Sequence, residues 1–251
     1  MKKFLIMAVV SVMALGLFAG CSGESMYEDG TYVAYSTDNN WRGYLETTVV
    51  IEDDEIVSID VTEYNNLGEV KDYASYGSEE AGFTGETLEE AHTTVAQNII
   101  DSNSTDVDGF TGATSSSDKI VDAVEAALAK ADGSAEGEYF DGSFFGEYSS
   151  YSEDRETTTY YTAVVTVEND SIVDVELREF QKPDGEEVIE KDEEYAEGTP
   201  FEGEWQEAVA EMPGRFVEAD AAEVEVFTGA TSSSEGWMQA VEKALERASI
   251  N

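Results

Sequence analysis

The chain contains the same unit twice, and this duplication limits the folds open to it more than any other feature of the sequence. Phe110 to Ser117 returns unchanged as Phe227 to Ser234, 117 positions later. Asp29-Gly30-Thr31-Tyr32 returns as Asp141-Gly142-Ser143-Phe144 at an offset of 112, and Ile51 to Val57 returns as Val167 to Val173 at 116. The growing offset places a few extra residues in the second copy, chiefly between Ser149 and Thr159, where loop changes are expected. Two domains follow, at 28–131 and 139–251. Asp132 to Glu138 between them has neither apolar periodicity nor bulk and reads as a linker.

Within each copy, strands come first and helices after. Tyr44 to Ile51 and Ile56 to Val61 are rich in β-branched residues and flank the polar Glu52 to Glu55, as in a hairpin. Tyr160 to Val167 and Ile172 to Leu177 repeat the pattern. Leu88, Ala91, Val95 and Ile99 have the three-and-four spacing of an amphipathic helix. Trp205, Val209 and Met212 give the second version, which Pro213 is expected to end. A last helix carries Ile120, Val121, Val124 and Leu128, matched by Trp237, Met238, Val241 and Leu245. The fold class is α+β, twice over, each copy an antiparallel sheet with helices following.

Most paired positions have drifted, even core ones such as Ile120 against Trp237, yet Phe-Thr-Gly-Ala-Thr-Ser-Ser-Ser is identical in both copies. A packed core tolerates exchange among apolar residues of similar volume, and this segment is mostly small and hydroxylated. Ser115 to Ser117 would serve as helix N-caps and Gly112 as a tight turn. Capping requires one hydroxyl, which leaves the others unexplained. The free N–H groups and positive dipole end of a helix start suit a phosphate. Gly112 and Ala113 would let an anion approach the backbone, and a threonine hydroxyl there could carry the phosphate as an ester.

Asp108-Gly109-Phe110-Thr111-Gly112-Ala113-Thr114-Ser115-Ser116 resembles the flavinylation motif of the FMN-binding domain family. That family includes the C subunit of the sodium-pumping NADH:quinone oxidoreductase and the G subunit of the Rnf complex. The resemblance implies that a flavin transferase moves FMN from FAD onto the threonine after the alanine, here Thr114 and Thr231. It also implies supporting roles for Asp108, Gly109, Thr111, Gly112 and Ala113, and for Thr228, Gly229 and Ala230 in the second copy. Glu225 and Val226 stand where the first copy has Asp108 and Gly109, so Thr231 departs further from the family pattern. The Asp-Gly-aromatic start and the hairpin turns at Asp54 and Asp170 also resemble the family, over residues 28–131 and 139–248.

The N-terminal segment sets the expected compartment. Lys2 and Lys3 precede an apolar run from Phe4 to Phe18, an export signal over 1–20 shorter than the ~20 residues of a membrane span. Leu17-Phe18-Ala19-Gly20-Cys21 resembles the lipobox of bacterial lipoproteins. Cys21 is then the lipidated mature N-terminus, 21–27 a tether, and the outer face of the cell membrane the location. Cys21 is the only cysteine, so an intrachain disulfide and a thiolate metal site are both excluded. Loss of Lys2 and Lys3 leaves 11 of the 13 basic residues against 56 acidic ones and moves the formal charge from −43 to −45. Such a surface repels nucleic acid. With 41% apolar residues the chain is still equipped to build cores.

A cofactor held reversibly leaves its protein when free ligand falls below its dissociation constant, and an ester removes that dependence outside the cell. The implied function is an electron carrier with up to two covalent FMN groups, fed by a membrane-bound reductase. No residue need act as acid, base or nucleophile, because the redox chemistry belongs to the cofactor. His92, the only histidine, reads as structural. Tyr73, Tyr76 and Phe83 could stack on a flavin ring or simply pack. Two rival functions are a cofactor-free surface binding lipoprotein with an FMN-binding-like fold and a reductase of an extracellular substrate such as fumarate, for which no separate catalytic domain remains.

Overall fold

The computed structural model describes residues 25–37, 41–73, 77–78, 83–192 and 203–251, with no side-chain description at 77–78 and 83–86. In the first copy β1 (Gly30–Tyr35), β2 (Leu45–Glu52) and β3 (Glu55–Glu63) form an antiparallel sheet in that order. The short pair β4 (Gly77–Ser78) and β5 (Phe83–Thr84) leads into α1 (Gly85–Ser102), and α2 (Thr114–Ala131) closes the domain. The second copy repeats the plan with β6 (Gly142–Ser152), β7 (Thr157–Glu168), β8 (Ser171–Pro183) and β9 (Ile189–Glu190) in one sheet. There α3 (Glu204–Ala219) and α4 (Thr231–Ala248) follow. The α+β class holds in both halves.

The central hairpins share one turn. Asp53 and Asp54 have φ of +53° and +69°, and Asn169 and Asp170 have +52° and +61°. Two successive left-handed residues match the right-handed twist of a two-residue hairpin, and Asn and Asp tolerate that conformation best after glycine. Their side chains also clamp the domain starts: Asp54 Oδ1 accepts the Tyr27 N–H at 2.8 Å, and Asp170 Oδ1 accepts those of Glu138 and Tyr139. One step beyond, each ladder shifts register, between Val50 and Ile51 and between Thr166 and Val167.

Burial alternates along β2, as a sheet with one covered face requires. The sheet's core face is covered by α2, which packs on β1 and β2, and by α1, which packs on β3, and Leu88, Ala91, Val95, Ile99, Ile120, Val124 and Leu128 of these helices are all buried. In the second domain the buried stripe of α3 is Trp205, Ala208, Met212 and Phe216. The expectation that Pro213 ends this helix is corrected: α3 continues to Ala219. Proline in a helix interior costs about 3 kcal/mol. Full burial of Phe216, one turn beyond Met212, offsets that on a similar scale. A second correction concerns Ser149 to Thr159, which is no loop change. Ser149 pairs with Tyr160 and Ser152 with Thr157, so the extra residues lengthen the β6–β7 hairpin and leave only a four-residue turn, 153–156.

The domains meet around Tyr44, which stacks on Tyr64 at 4.5 Å and on Phe145 of the second domain at 5.9 Å. The guanidinium of Arg247, in the last turn of α4, lies 3.7 Å from the Tyr44 ring centroid. It donates to both carboxylate oxygens of Glu147, at 2.6 and 2.7 Å, and to the Tyr44 hydroxyl at 2.7 Å. Burial, only partly offset by the Arg247 charge, pushes the Tyr44 phenol far above its ordinary range.

Candidate cofactor sites

The repeated octapeptide has the same conformation in both domains. Gly112 and Gly229 have φ of +93° and +96°, which favours glycine at both. The Ala113 N–H closes the turn on the Phe110 carbonyl at 3.1 Å, and Ala230 does so on Phe227 at 3.1 Å. Ser117 Oγ accepts the Phe110 N–H and donates to the Ala113 carbonyl, each at 2.9 Å. Ser234 does the same for Phe227 and Ala230.

The left-handed backbone accounts for the glycine and the two Oγ bonds for the last serine of the motif. They leave the threonine that opens each helix unexplained. Thr114 and Thr231 are exposed and are the first helical residues. The N-cap positions belong to Ala113 and Ala230, and neither helix start has a side-chain cap. The serines sit inside the first turn and do not cap it.

Each helix start opens on a cleft. Gly112, Ala113 and Thr114 line one of about 590 Å³, together with Trp41, Lys71 and Lys119. Gly229, Ala230 and Thr231 line one of about 690 Å³, with Arg155, Glu179 and Lys191. Both volumes fall in the range for small-molecule sites. Asp108, Gly109, Thr111 and Thr228 lie on the exposed approach to the turn. Arg42, Lys71, Lys119, Arg155 and Lys191 put 5 of the chain's 13 cationic side chains on these two clefts. In a chain of charge −43, the excess of basic side chains over Glu63 marks the first cleft as a place for an anion, whereas in the second Arg155 and Lys191 only balance Glu179 and Glu204.

The floors match as well. Glu63, at the end of β3, pairs with Lys71 at 2.7 Å, and Glu179 on β8 pairs with Lys191 at 2.5 Å. Both carboxylates are buried, at 4% and 1% exposure. Burial alone would raise the Glu63 carboxyl, but hydrogen bonds from His92 and Lys71 and the Lys71 charge outweigh it and hold the group at about 2. Ser116 of the octapeptide adds a further bond in the same direction. His92 Nε2 is 2.9 Å from Glu63, and its Nδ1 is 2.8 Å from the Tyr73 hydroxyl.

Tyr73 is thus engaged with His92. Tyr76 and the Phe83 side chain lie outside the described residues, as do Cys21 and the segment before it. Sequence reasoning missed the paired floors, although Glu63 and Glu179 stand at the hairpin's own offset of 116 and were detectable as acids on a strand's core face.

Two α+β domains, each with a cleft bearing basic side chains at an uncapped helix start, define a duplicated binding module for a phosphorylated small molecule. The chain belongs to the FMN-binding domain family, whose model matches residues 40–129 and again 156–246. Among solved structures it is similar to the CPE2226 protein of Clostridium perfringens, with 23% identity over 45% of this chain and 94% of that one and a TM-score of 0.38. No curated protein matches it.

Proposed function

We infer that the chain is a lipid-anchored extracytoplasmic electron carrier bearing FMN on Thr114 and Thr231. The observation that carries this reading is an exposed threonine as first residue of an uncapped helix, facing a cleft that bears basic side chains, in both domains. The residues present fit a phosphodiester there. The alanine N-caps offer no competing acceptor, the left-handed glycines open the backbone, and the helix dipole favours negative charge. When bound, the flavin ring supplies the electron transfer. The protein's residues anchor the phosphate, wall the ring and fix the local charge.

Family membership, the hydrophobic N-terminal run and Cys21 support an anchored carrier outside the cytoplasm, fed by a membrane reductase. Among the described residues no helix is long and apolar enough to cross a membrane. The test is mass spectrometry of the chain co-produced with a flavin transferase. Thr114 and Thr231 peptides heavier by one FMN residue are expected. Bare peptides in protein matured in its own host would refute covalent attachment. Thr114→Ala and Thr231→Ala should each remove one flavin's fluorescence from a denaturing gel.

A further inference from the structure

Among the described residues of the first domain, Trp41 is the aromatic residue with a left-handed backbone, at φ +58°. A tryptophan pays strain in that region, and such strain persists only where surroundings enforce it. Here the enforcing residues belong to the other domain. The indole N–H of Trp41 donates to Glu176 Oε2 at 3.0 Å. The Arg178 guanidinium covers the ring at 4.3 Å from its centroid, and Phe145 meets the ring edge-on at 6.1 Å. Yet Trp41 lines the cleft of Thr114.

The second cleft is walled differently. Arg155, Thr157 and Thr159 line it, and all three belong to the lengthened β6–β7 hairpin. The first domain has no such extension of its strands: β1 ends at Tyr35 and β2 begins at Leu45, and Trp41 lies in the connection between them, held from outside.

We propose that the second domain completes the flavin site of the first, by clamping Trp41 through Glu176 and Arg178 as the wall against which the ring on Thr114 packs. This rests on the flavin reading above. The second site needs no such help, so the dependence runs one way. Trp41 is a positioning and contact residue, and Glu176 and Arg178 act through it.

An indole in van der Waals contact with a flavin quenches its fluorescence by donating an electron to the excited ring, so the contact can be read without turnover. The experiment uses the full chain with Thr231→Ala, loaded on Thr114 and verified by mass. Trp41→Leu should lengthen the flavin fluorescence lifetime several-fold. Arg178→Ala with Glu176→Gln should lengthen it partially, by freeing the indole while leaving it in place.

In the reciprocal Thr114→Ala chain, loaded on Thr231, none of these substitutions should change the lifetime, which also reports that the second domain remains folded. A loaded Thr114 whose lifetime is the same with and without Trp41 overturns the proposal. So does a lifetime insensitive to Arg178 and Glu176. A bare Thr114 mass overturns the flavin reading itself and takes the proposal with it, a result visible before any lifetime is measured.

Discussion

Trp205 donates its indole N–H to Glu179 across 2.8 Å, and the bond does in the second domain what His92 does for Glu63 in the first. Each buried glutamate therefore has a lysine on one oxygen and a ring nitrogen on the other. A buried carboxylate is tolerated only when its charge is paired and its lone pairs are occupied. The cleft floors meet that demand with different residues.

Removing one partner should be costly. Lys71→Met leaves Glu63 charged and under-bonded, and loss of one member of a buried pair costs about 3–5 kcal/mol. Urea unfolding should show this as a lower midpoint. Glu63→Gln combined with Lys71→Met should recover much of the loss, and a double variant no better than Lys71→Met alone would contradict the pairing.

Acid should weaken the same site. The Glu63 carboxyl is held at about 2 against an ordinary value of 4.5. A carboxyl with a depressed folded value contributes its full stability above the unfolded value and loses it as pH falls toward the folded one. The loss should therefore run from about pH 4.5 down to about 2. Thermal unfolding of wild type against Glu63→Gln should converge across that window. Parallel curves would show that the carboxylate is not the group responsible.

Two glycines on helices should respond oppositely to alanine. Gly214, inside α3, has open space where its Cβ would stand, so Gly214→Ala should stabilise by about 0.5–1 kcal/mol. Gly236 packs on the Tyr161 ring, and an added Cβ would lie 2.3 Å from it. Gly236→Ala should destabilise by about 1–3 kcal/mol, the usual penalty of overpacking. Denaturant midpoints of the two variants should straddle the wild-type value.

The two threonines should also load unequally. Thr87 Cγ2 is the neighbour of Gly112, but the Glu204 carboxylate fills the corresponding place against Gly229, 2.7 Å from a built Cβ. The Glu204 Oε2 atom is buried and has no hydrogen-bond partner. A carboxylate beside an incoming phosphate repels it. Flavinylation of Thr231 should trail that of Thr114 by about tenfold, the rate equivalent of ~1.4 kcal/mol. Glu204→Thr should close the gap in a timed mass-spectrometric assay, and an unchanged gap would move the cause to Glu225 and Val226.

Much of this molecule is determined by short-range sequence order. The duplication, the strand-then-helix plan, the hairpin turns at Asp54 and Asp170 and the helices holding Leu88 to Ile99 and Ile120 to Leu128 all follow from periodicity and turn chemistry. The positions of Thr114 and Thr231 follow from an octapeptide that packing does not require. The path of α3 past Pro213 and the hairpin growth at Ser149 to Thr159 did not follow from sequence order, because long-range burial and cross-strand pairing overrode local signals.

What surrounds the threonines was decided by tertiary structure. The offset of 117 that aligns the helices matches Trp205 with Leu88 and His92 with Val209, so residue matching assigns the glutamates' ring partners to the wrong places. The bond to each carboxylate comes from a different helical turn, and which ring reaches it depends on how the helix lies across the sheet. Trp41 is likewise anonymous in sequence, since Glu176 and Arg178 reach it only once the domains dock. Periodicity is a property of neighbours along the chain; the burial and pairing of a charge depend on groups that folding brings from far away.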